Sequence, residues 1–320
     1  MSIDTFNKRL ASSTVLTGVR HAEKNKYEKS KKVLITGFYN ISKTQTGFIY
    51  TGSATNSNSG IFYPISFPSS YLTSPYGPDR ISDDLVNIVG NYNLTSGSPA
   101  IGFLYTGPYK DTSLGSWISI TPPFEFATNC IAHSVMNGIV VGNYGEDPMA
   151  LSTVPLKPRI YAVLFNSRTN QYLKITIPNG ESISAYGIWH NSGSNYTIAG
   201  GYVKNKKNRA YIVDWSEKTG AFTNFTSYKF NNSKSSLITH FDGITGLGKG
   251  KFNLTGDYVD DSGTGAFFCT VNRNKDSAKW TSYSYPNSEI TSGNTVIDNK
   301  AYGIYVLNGV INGYVYEHEK

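Results

Sequence analysis

Short hydrophobic runs recur along the chain, and each lies close to a Gly-X-Tyr triplet. The triplets begin about fifty residues apart, with a shorter last interval. They are Gly37-Phe38-Tyr39, Gly90-Asn91-Tyr92, Gly142-Asn143-Tyr144, Gly200-Gly201-Tyr202, Gly256-Asp257-Tyr258 and Gly303-Ile304-Tyr305. A period of this kind predicts a repeat architecture, in which each repeat is one supersecondary unit.

Two further elements accompany the triplets. The first is a small residue followed by an aromatic residue and a hydrophobic run, as in Gly102-Phe103-Leu104-Tyr105. The second is an alternating segment that starts with an aromatic residue and usually reaches a Pro, as in residues 280–286. Alternation with a period of two predicts a β-strand with two unlike faces.

Each repeat therefore predicts four strands, of which the innermost precedes the triplet. Six such repeats predict an all-β protein, a six-bladed β-propeller with four-stranded blades, formed by residues 1–320 as a single domain. A propeller accommodates 320 residues because each blade packs only on its neighbours, whereas a single core usually stops growing at about 250–300 residues.

The sixth repeat lacks a fourth strand, because the chain ends shortly after Tyr314-Val315-Tyr316. Residues 3–10 precede the first inner strand and belong to no repeat. We expect this segment to pair with the last blade, which closes the ring and removes a free strand edge.

The best copies of these motifs resemble the HAF repeat family. They are Ile88-Val89-Gly90-Asn91-Tyr92, Gly102-Phe103-Leu104-Tyr105 and residues 280–286, and the resemblance extends over nearly the whole chain. The histidine that names the family is missing from every copy. The resemblance implies a propeller-like repeat fold and a bias toward exported proteins, but no activity. No signal peptide precedes the repeats, so the sequence predicts no compartment.

Composition agrees with a β protein and restricts the partners. The chain has 24 Tyr, 16 Phe and 31 Gly, and its net charge is +7. The basic clusters 24–32 and 204–209 fall in predicted loops, and no nucleic-acid-binding motif accompanies them, so nucleic acid is not an expected partner. No apolar stretch is long enough to span a membrane. Cys130 and Cys269 fall in different blades, which argues against a disulfide.

The predicted inner strands can be aligned on one small residue, which lies 8, 13 or 19 positions before the triplet. The residue before it is polar in every repeat. These six residues are Thr17, Tyr76, His133, Tyr186, Asp242 and Asn294. Six unlike polar residues at one level predict a polar ring near the propeller axis.

Four of the five histidines lie in or beside inner strands. His240 shares a strand face with Asp242, two residues away, and His133 belongs to the same level. His21 and His190 fall toward the opposite end, roughly 13–20 Å away, so the four cannot bind one metal ion. His133, His240 and Asp242 could ligate a divalent metal. The same pattern suits hydrogen-bonded structural side chains, so the sequence favours no metal and leaves the cofactor unknown.

The first functional hypothesis is a ligand-binding propeller with one axial polar pocket for a polar or anionic small molecule, such as a glycan. Because the ring residues differ from blade to blade, we expect one site and not six equal ones. The candidate ligand-binding residues are Thr17, Asn294, Arg20, Arg80, His21, His190 and Trp189.

The alternatives are an enzyme and a scaffold. As a polysaccharide lyase or hydrolase, the protein would use His133 or His240 as the general base and Tyr76 or Tyr186 as the proton donor, with Asp242 orienting a histidine. Arg20 and Arg80 would then hold a substrate carboxylate. A scaffold that presents loops to a protein partner would need only the fold.

Overall fold

The computed structural model describes residues 2–22, 32–41, 44–146, 160–233, 235–261 and 263–319. Within these ranges the chain forms 24 β-strands and four short 3-10 helices, and no α-helix. None of the described helices could cross a membrane. The strands form six four-stranded antiparallel sheets, so the prediction of an all-β, six-bladed propeller is confirmed.

The first strand of the chain, β1 (Ser2–Thr5), precedes the first complete blade. Blade 1 consists of β2 (Ser13–His21), β3 (Lys32–Ile41), β4 (Thr44–Ser53) and β5 (Ile61–Ile65). Blade 2 consists of β6 (Leu72–Arg80), β7 (Leu85–Asn93), β8 (Ile101–Pro108) and β9 (Ser116–Ile120). Blade 3 consists of β10 (Asn129–Met136), β11 (Ile139–Gly145), β12 (Ile160–Asn166) and β13 (Gln171–Lys174).

The remaining blades follow the same order. Blade 4 consists of β14 (Ile183–Ser192), β15 (Asn195–Lys204), β16 (Lys207–Ser216) and β17 (Phe222–Tyr228). Blade 5 consists of β18 (Ile238–Gly248), β19 (Lys251–Asp260), β20 (Gly263–Asn272) and β21 (Ser277–Tyr283). Blade 6 consists of β22 (Ile290–Ile297), β23 (Lys300–Leu307) and β24 (Val310–Glu317), with β1 as its outer strand.

The N-terminal strand closes the ring, as predicted, but it is shorter than residues 3–10. Its pairing with β24 runs from Ser2 opposite Glu317 to Thr5 opposite Tyr314. The backbone N–H of Phe6 adds a bond of 2.8 Å to the carbonyl of Gly313. Beyond this point the chain turns toward β2, so residues 8–10 do not extend the strand.

The hydrophobic core lies between the blades, which explains the two strand patterns in the sequence. Every residue of β11 is buried, because neighbouring blades cover both of its faces. The outer strand β21 instead alternates exposed and partly buried residues over most of its length. At the closing interface, Phe6 packs edge-on against Tyr50 of blade 1, with ring centroids 5.1 Å apart.

One steric constraint explains why the first residue of each Gly-X-Tyr triplet is a glycine. It lies on the second strand, and a Cβ there would come well within 3.0 Å of a carbonyl oxygen of the inner strand. Those oxygens belong to Val15, Ser74, Ile131, Ser184, His240 and Ser292. The most regular residue of the repeat therefore permits close backbone approach between its first two strands.

The two cysteines and the second basic cluster lie within the described residues. Cys130 in β10 and Cys269 in β20 are buried and free, as expected. The basic cluster 204–209 surrounds the turn between β15 and β16, but only residues 205 and 206 lie outside the two strands, so the loop is shorter than predicted. The other basic cluster lies outside the described residues, except for Lys32.

Candidate functional site

The six predicted ring residues are the residues at which the inner strands bulge. In every blade the register between the first and second strands shifts at this position, directly after the residue that faces the triplet glycine. The shifts fall at Thr17, Tyr76 with Gly77, His133, Tyr186, Asp242 and Asn294. A β-bulge leaves a residue outside the regular pairing and redirects its side chain. The repeat thus presents one variable polar side chain per blade.

The small residues that follow the bulges bring the inner strands together. A Cβ on Gly18 would lie 2.7 Å from the Cα of Gly77, and one on Gly243 would lie 2.7 Å from the Cα of Thr295. The channel is therefore narrow at this level. The centre of a water molecule can reach only about 10 Å³ of the axial cavity. This space holds about one water or one ion. Its lining includes Thr17, Arg20, His133, Tyr186, Asp242 and Thr295.

Two of the ring residues connect neighbouring blades. The Thr17 hydroxyl lies 2.7 Å from the carbonyl oxygen of Pro75 in blade 2. The Asn294 amide donates a 2.7 Å bond to the carbonyl of Leu16 in blade 1. These polar groups hold the first, second and sixth blades together. The other four ring residues form a continuous arc through blades 2–5, namely Tyr76, His133, Tyr186 and Asp242.

Aromatic rings pack in sequence along this arc. The ring centroids of Tyr76 and His133 are 5.0 Å apart, those of His133 and Tyr186 are 4.7 Å apart, and those of Tyr186 and His240 are 5.7 Å apart. Four blades therefore contribute rings to one cluster. Burial raises the pKa of Tyr76 to about 12. It also raises the pKa of Tyr186, with a further contribution from the charge of Asp242. Both phenols stay protonated at neutral pH.

His133 is buried without a hydrogen bond at one ring nitrogen. The residue is 7% exposed, and its Nε2 has no partner among the described residues. Burial lowers the pKa of His133 to about 3, so the imidazole is neutral near pH 7. A neutral, unpartnered nitrogen in the wall of a polar cavity can accept or donate one bond, depending on its tautomer.

His240, Asp242 and Asp257 form a second group, which we call the axial triad. His240 Nε2 lies 3.2 Å from Asp242 Oδ2 and 3.8 Å from Asp257 Oδ2. His240 faces Asp257 across β18 and β19, and Asp242 is the bulged residue of β18. Asp257 also accepts bonds of 2.8 Å from the Ser292 hydroxyl and the Gly293 amide. Blades 5 and 6 therefore hold this carboxylate in place.

Burial and charge oppose each other in the axial triad. Burial disfavours a charged His240, but the carboxylates of Asp242 and Asp257 outweigh it and raise the pKa of His240 to about 9. Burial raises the pKa of Asp242 to about 7, although His240 acts in the opposite direction. Burial also raises the pKa of Asp257, against His240 and the two donors from blade 6. One imidazolium can balance only one of two ionised carboxylates.

Arg20 reaches from blade 1 toward the opposite side of the channel. Its guanidinium lies 3.5 Å from the Ser134 hydroxyl and 3.4 Å from the Ile188 carbonyl, while Nη1 donates a 2.9 Å bond to the carbonyl of Val19. Burial lowers the pKa of Arg20, and the charge of Asp79 works against that change. The Arg20 side chain therefore fills part of the channel, which the pattern of polar positions in the sequence does not indicate.

Of the seven predicted ligand-binding residues, only Thr17 and Arg20 line the axial cavity, whereas Asn294, Arg80, His21, His190 and Trp189 do not. Arg80 pairs with Asp83 at 3.2 Å, His21 pairs with Asp298 at 3.1 Å, and His190 Nε2 lies 2.8 Å from the carbonyl oxygen of Gly193. All three lie at least three residues beyond the bulge, or about 10 Å along a strand. A role of these three residues in ligand binding stays a prediction. Trp189 packs its ring against Gly246 and lies 5.9 Å from the Arg20 guanidinium.

His21 instead borders a larger depression between blades 5, 6 and 1, which we call the rim groove. Its volume is about 1020 Å³, and its lining includes His21, Lys279, Asp298, Lys300, Tyr302 and His318. This volume is at the upper end of the range for small-molecule sites.

Asp257 is an axial residue that the aligned polar positions of the sequence do not include. It is the middle residue of the fifth triplet, where the other repeats have Phe38, Asn91, Asn143, Gly201 and Ile304. The signal that could have identified it is the pairing of the triplet glycine with the residue before the bulge, since that register puts Asp257 opposite His240. No family model matches the chain, and no curated protein sequence is significantly similar to it.

Proposed function

We propose that the protein binds one small polar ligand per chain at the propeller axis. The observation that carries this proposal is the set of six bulges. The same backbone feature recurs in every blade, yet each bulge presents its own side chain to the ring, and only blades 2–5 contribute to the arc that leads to the axial triad. A propeller with six equal sites would repeat the same ligand-binding residues in every blade.

The size of the cavity restricts the ligand. An opening of about 10 Å³ admits an ion or one water-sized polar group, but not a sugar ring. A glycan could therefore use the axial cavity only through a single projecting group. The rim groove is large enough for a saccharide, and it is the second location that a binding experiment must distinguish.

Binding is favoured over catalysis for the same reason. A polysaccharide lyase or hydrolase needs room for a sugar beside its general base. His133 and Tyr186 instead pack ring to ring in the narrow part of the channel. The pKa of Asp242, raised by burial to about 7, would suit proton transfer near neutral pH, but the cavity beside it holds only a water-sized group.

Isothermal titration with a panel of ligands tests the proposal. The panel comprises zinc, manganese and calcium chlorides, phosphate, acetate and oligogalacturonate. We expect at least one of them to bind at one site per chain, with at least tenfold weaker binding to Asp242→Asn and unchanged binding to Arg80→Gln. Several equal sites per chain would overturn the proposal. It would also fail if binding were unchanged in Asp242→Asn but lost in Tyr302→Phe, which would place the site in the rim groove.

A further inference from the structure

We infer that the axial ligand is a divalent transition-metal ion held by His240, Asp242 and Asp257. This inference rests on the proposed axial binding function and specifies its ligand. One imidazole and two carboxylates are donors that suit zinc, manganese, iron and cobalt. Three protein ligands with an open fourth position are the arrangement of many catalytic zinc sites.

The distances within the axial triad fit a shared ion. Zinc–nitrogen and zinc–oxygen bonds measure about 2.0–2.2 Å, so two ligand atoms of one ion lie at most about 4 Å apart. His240 Nε2 lies 3.2 Å from Asp242 Oδ2 and 3.8 Å from Asp257 Oδ2. All three ligand atoms lie within 4.8 Å of one another, so only a small side-chain adjustment separates the triad from a coordination sphere.

Charge balance favours the same ligand. The His240 side chain is 5% exposed, and those of Asp242 and Asp257 are 14% and 18% exposed. Two ionised carboxylates beside one imidazolium leave an excess negative charge at a poorly hydrated position, which is costly. A divalent ion bound to a neutral imidazole and two carboxylates gives a neutral cluster.

The backbone and the neighbouring blade fix two of the three ligands before any ion binds. His240 and Asp257 lie opposite each other on hydrogen-bonded strands. Ser292 and Gly293 donate to the two oxygens of Asp257, which is the outer-shell support that metal-ligating carboxylates usually have. Asp242 Oδ2 is paired with His240 Nε2 at 3.2 Å but has no well-aligned hydrogen-bond donor among the described residues, so an ion can bind between these two atoms.

A second, independent observation also indicates a ligand in the cavity. His133 comes from another blade and lines the same cavity as Asp242. The residue is 7% exposed, and its Nε2 has no hydrogen-bond partner among the described residues. Buried polar groups are seldom left unpaired. A water or an ion bound in this cavity would give the nitrogen a partner.

Arg20 also lines the cavity but does not compete for the axial triad. Its hydrogen bonds go to Val19, Ser134 and Ile188 in blades 1, 3 and 4. None of the hydrogen bonds described for this side chain reaches blade 5. The cationic and anionic parts of the channel lining therefore belong to different blades.

Cobalt and zinc binding to metal-free protein tests the inference. Protein dialysed against a chelator is titrated with Co²⁺, and the visible d–d absorption, the stoichiometry and the thermal shift are recorded. We expect the parent to bind one Co²⁺ per chain, which Zn²⁺ displaces. Binding of Co²⁺ to His240→Gln, Asp242→Asn and Asp257→Asn should be about tenfold to a hundredfold weaker. Melting of each variant in metal-free buffer shows that its fold is retained.

Asp298→Asn is the matched control, because Asp298 pairs with His21 at 3.1 Å but belongs to no described three-ligand group. This variant should bind Co²⁺ like the parent. Equal Co²⁺ binding by Asp257→Asn and the parent would overturn the inference, as would binding lost only in Asp298→Asn.

The result also separates this inference from the proposed function. If Co²⁺ and Zn²⁺ do not bind, while phosphate, acetate or oligogalacturonate stabilises the parent but not Asp242→Asn, the metal inference is wrong and the axial site remains. If no probe binds in a way that depends on Asp242, both are wrong.

Discussion

The carbonyl oxygen of His240 lies against the Cα of Gly256, closer than any side chain on that residue would allow. The same contact recurs in each blade. In blade 5 the residue after His240, Phe241, faces Gly256, and the register between β18 and β19 shifts directly after it. The triplet glycine thus permits the close approach that precedes every bulge, and the bulge presents the ring residue. The most uniform position of the repeat supports its most variable position.

Gly256→Ala should therefore destabilise the protein, although it adds a single methyl group. The obstacle is a backbone carbonyl, which cannot move without shifting β18, so we expect a loss of about 1–3 kcal/mol or more in the free energy of unfolding. Denaturant unfolding measures it. Gly180→Ala is the control, because the nearest atoms to its added Cβ belong to the flexible end of Ile183. Equal stability of the two variants would contradict the steric explanation.

Phe6→Ala should weaken ring closure. Phe6 is fully buried, and its ring contacts Tyr50 of blade 1 and Tyr302 of blade 6, at 5.1 and 6.4 Å between centroids. Removal of a large buried ring costs about 3–5 kcal/mol, and a thermal melt should show a clear decrease. Leu10→Ala, in the same segment but 87% exposed, should melt like the parent. A Phe6→Ala variant as stable as the parent would refute closure by this segment.

The fold was predictable because the triplet glycine pairs with the residue before the bulge in every blade. This pairing holds although the number of residues between the bulge and the triplet varies. The intervals of 8, 13 and 19 residues reflect hairpins of different length between the first two strands, as in the two-residue turn Asn137-Gly138. The pairing itself does not change. Leu16 faces Gly37 and Ala132 faces Gly142 across strands whose hairpins differ in length.

The axial chemistry was less predictable, because it depends on strand register and side-chain volume. Asp257 joins His240 only through the pairing of β18 with β19. The small cavity results partly from Arg20, which crosses the channel to Ile188, and no periodicity in the sequence encodes that direction. Arg80 pairs with Asp83 three residues beyond the bulge, a position that the polar pattern of the sequence does not give.

His133 should make the protein less stable in acid. Its pKa in the folded state is about 3, and an unfolded histidine has a pKa of about 6.5. Between these pH values the unfolded chain binds a proton that the folded protein does not. Stability from this group therefore decreases as the pH falls from about 6.5 toward 3, by at most about 1.4 kcal/mol per pH unit.

The measurement is denaturant unfolding of the parent and His133→Gln at pH 7.5, 6 and 5. We expect the stability of the variant, relative to the parent, to increase as the pH falls. His190→Gln serves as the control, since His190 is partly exposed and is hydrogen-bonded at Nε2. Parallel pH profiles for the parent and His133→Gln would rule out a buried neutral histidine.

His240 should show the opposite dependence in metal-free protein. Burial lowers its pKa, but Asp242 and Asp257 outweigh burial and raise the pKa to about 9. The folded state therefore holds this proton more tightly than the unfolded chain does. Its stabilising effect is complete below about pH 6.5 and is lost as the pH rises through about 9. Above pH 8 Asp242 is mostly ionised in both states, because its own pKa is about 7, so it contributes little to this change.

Asp257→Asn removes one of the two charges that raise the pKa of His240, and the remaining Asn oxygen can still accept the Gly293 amide. Imidazole titration by NMR should give a pKa for His240 near 9 in the parent and a clearly lower value in Asp257→Asn. Stability should then decrease less between pH 7 and 10 in the variant than in the parent. Asp298→Asn, beside the more exposed His21, should leave the His240 titration unchanged. If the His240 pKa is the same in Asp257→Asn as in the parent, the two side chains do not interact across β18 and β19, and the geometry proposed for the metal site is also wrong.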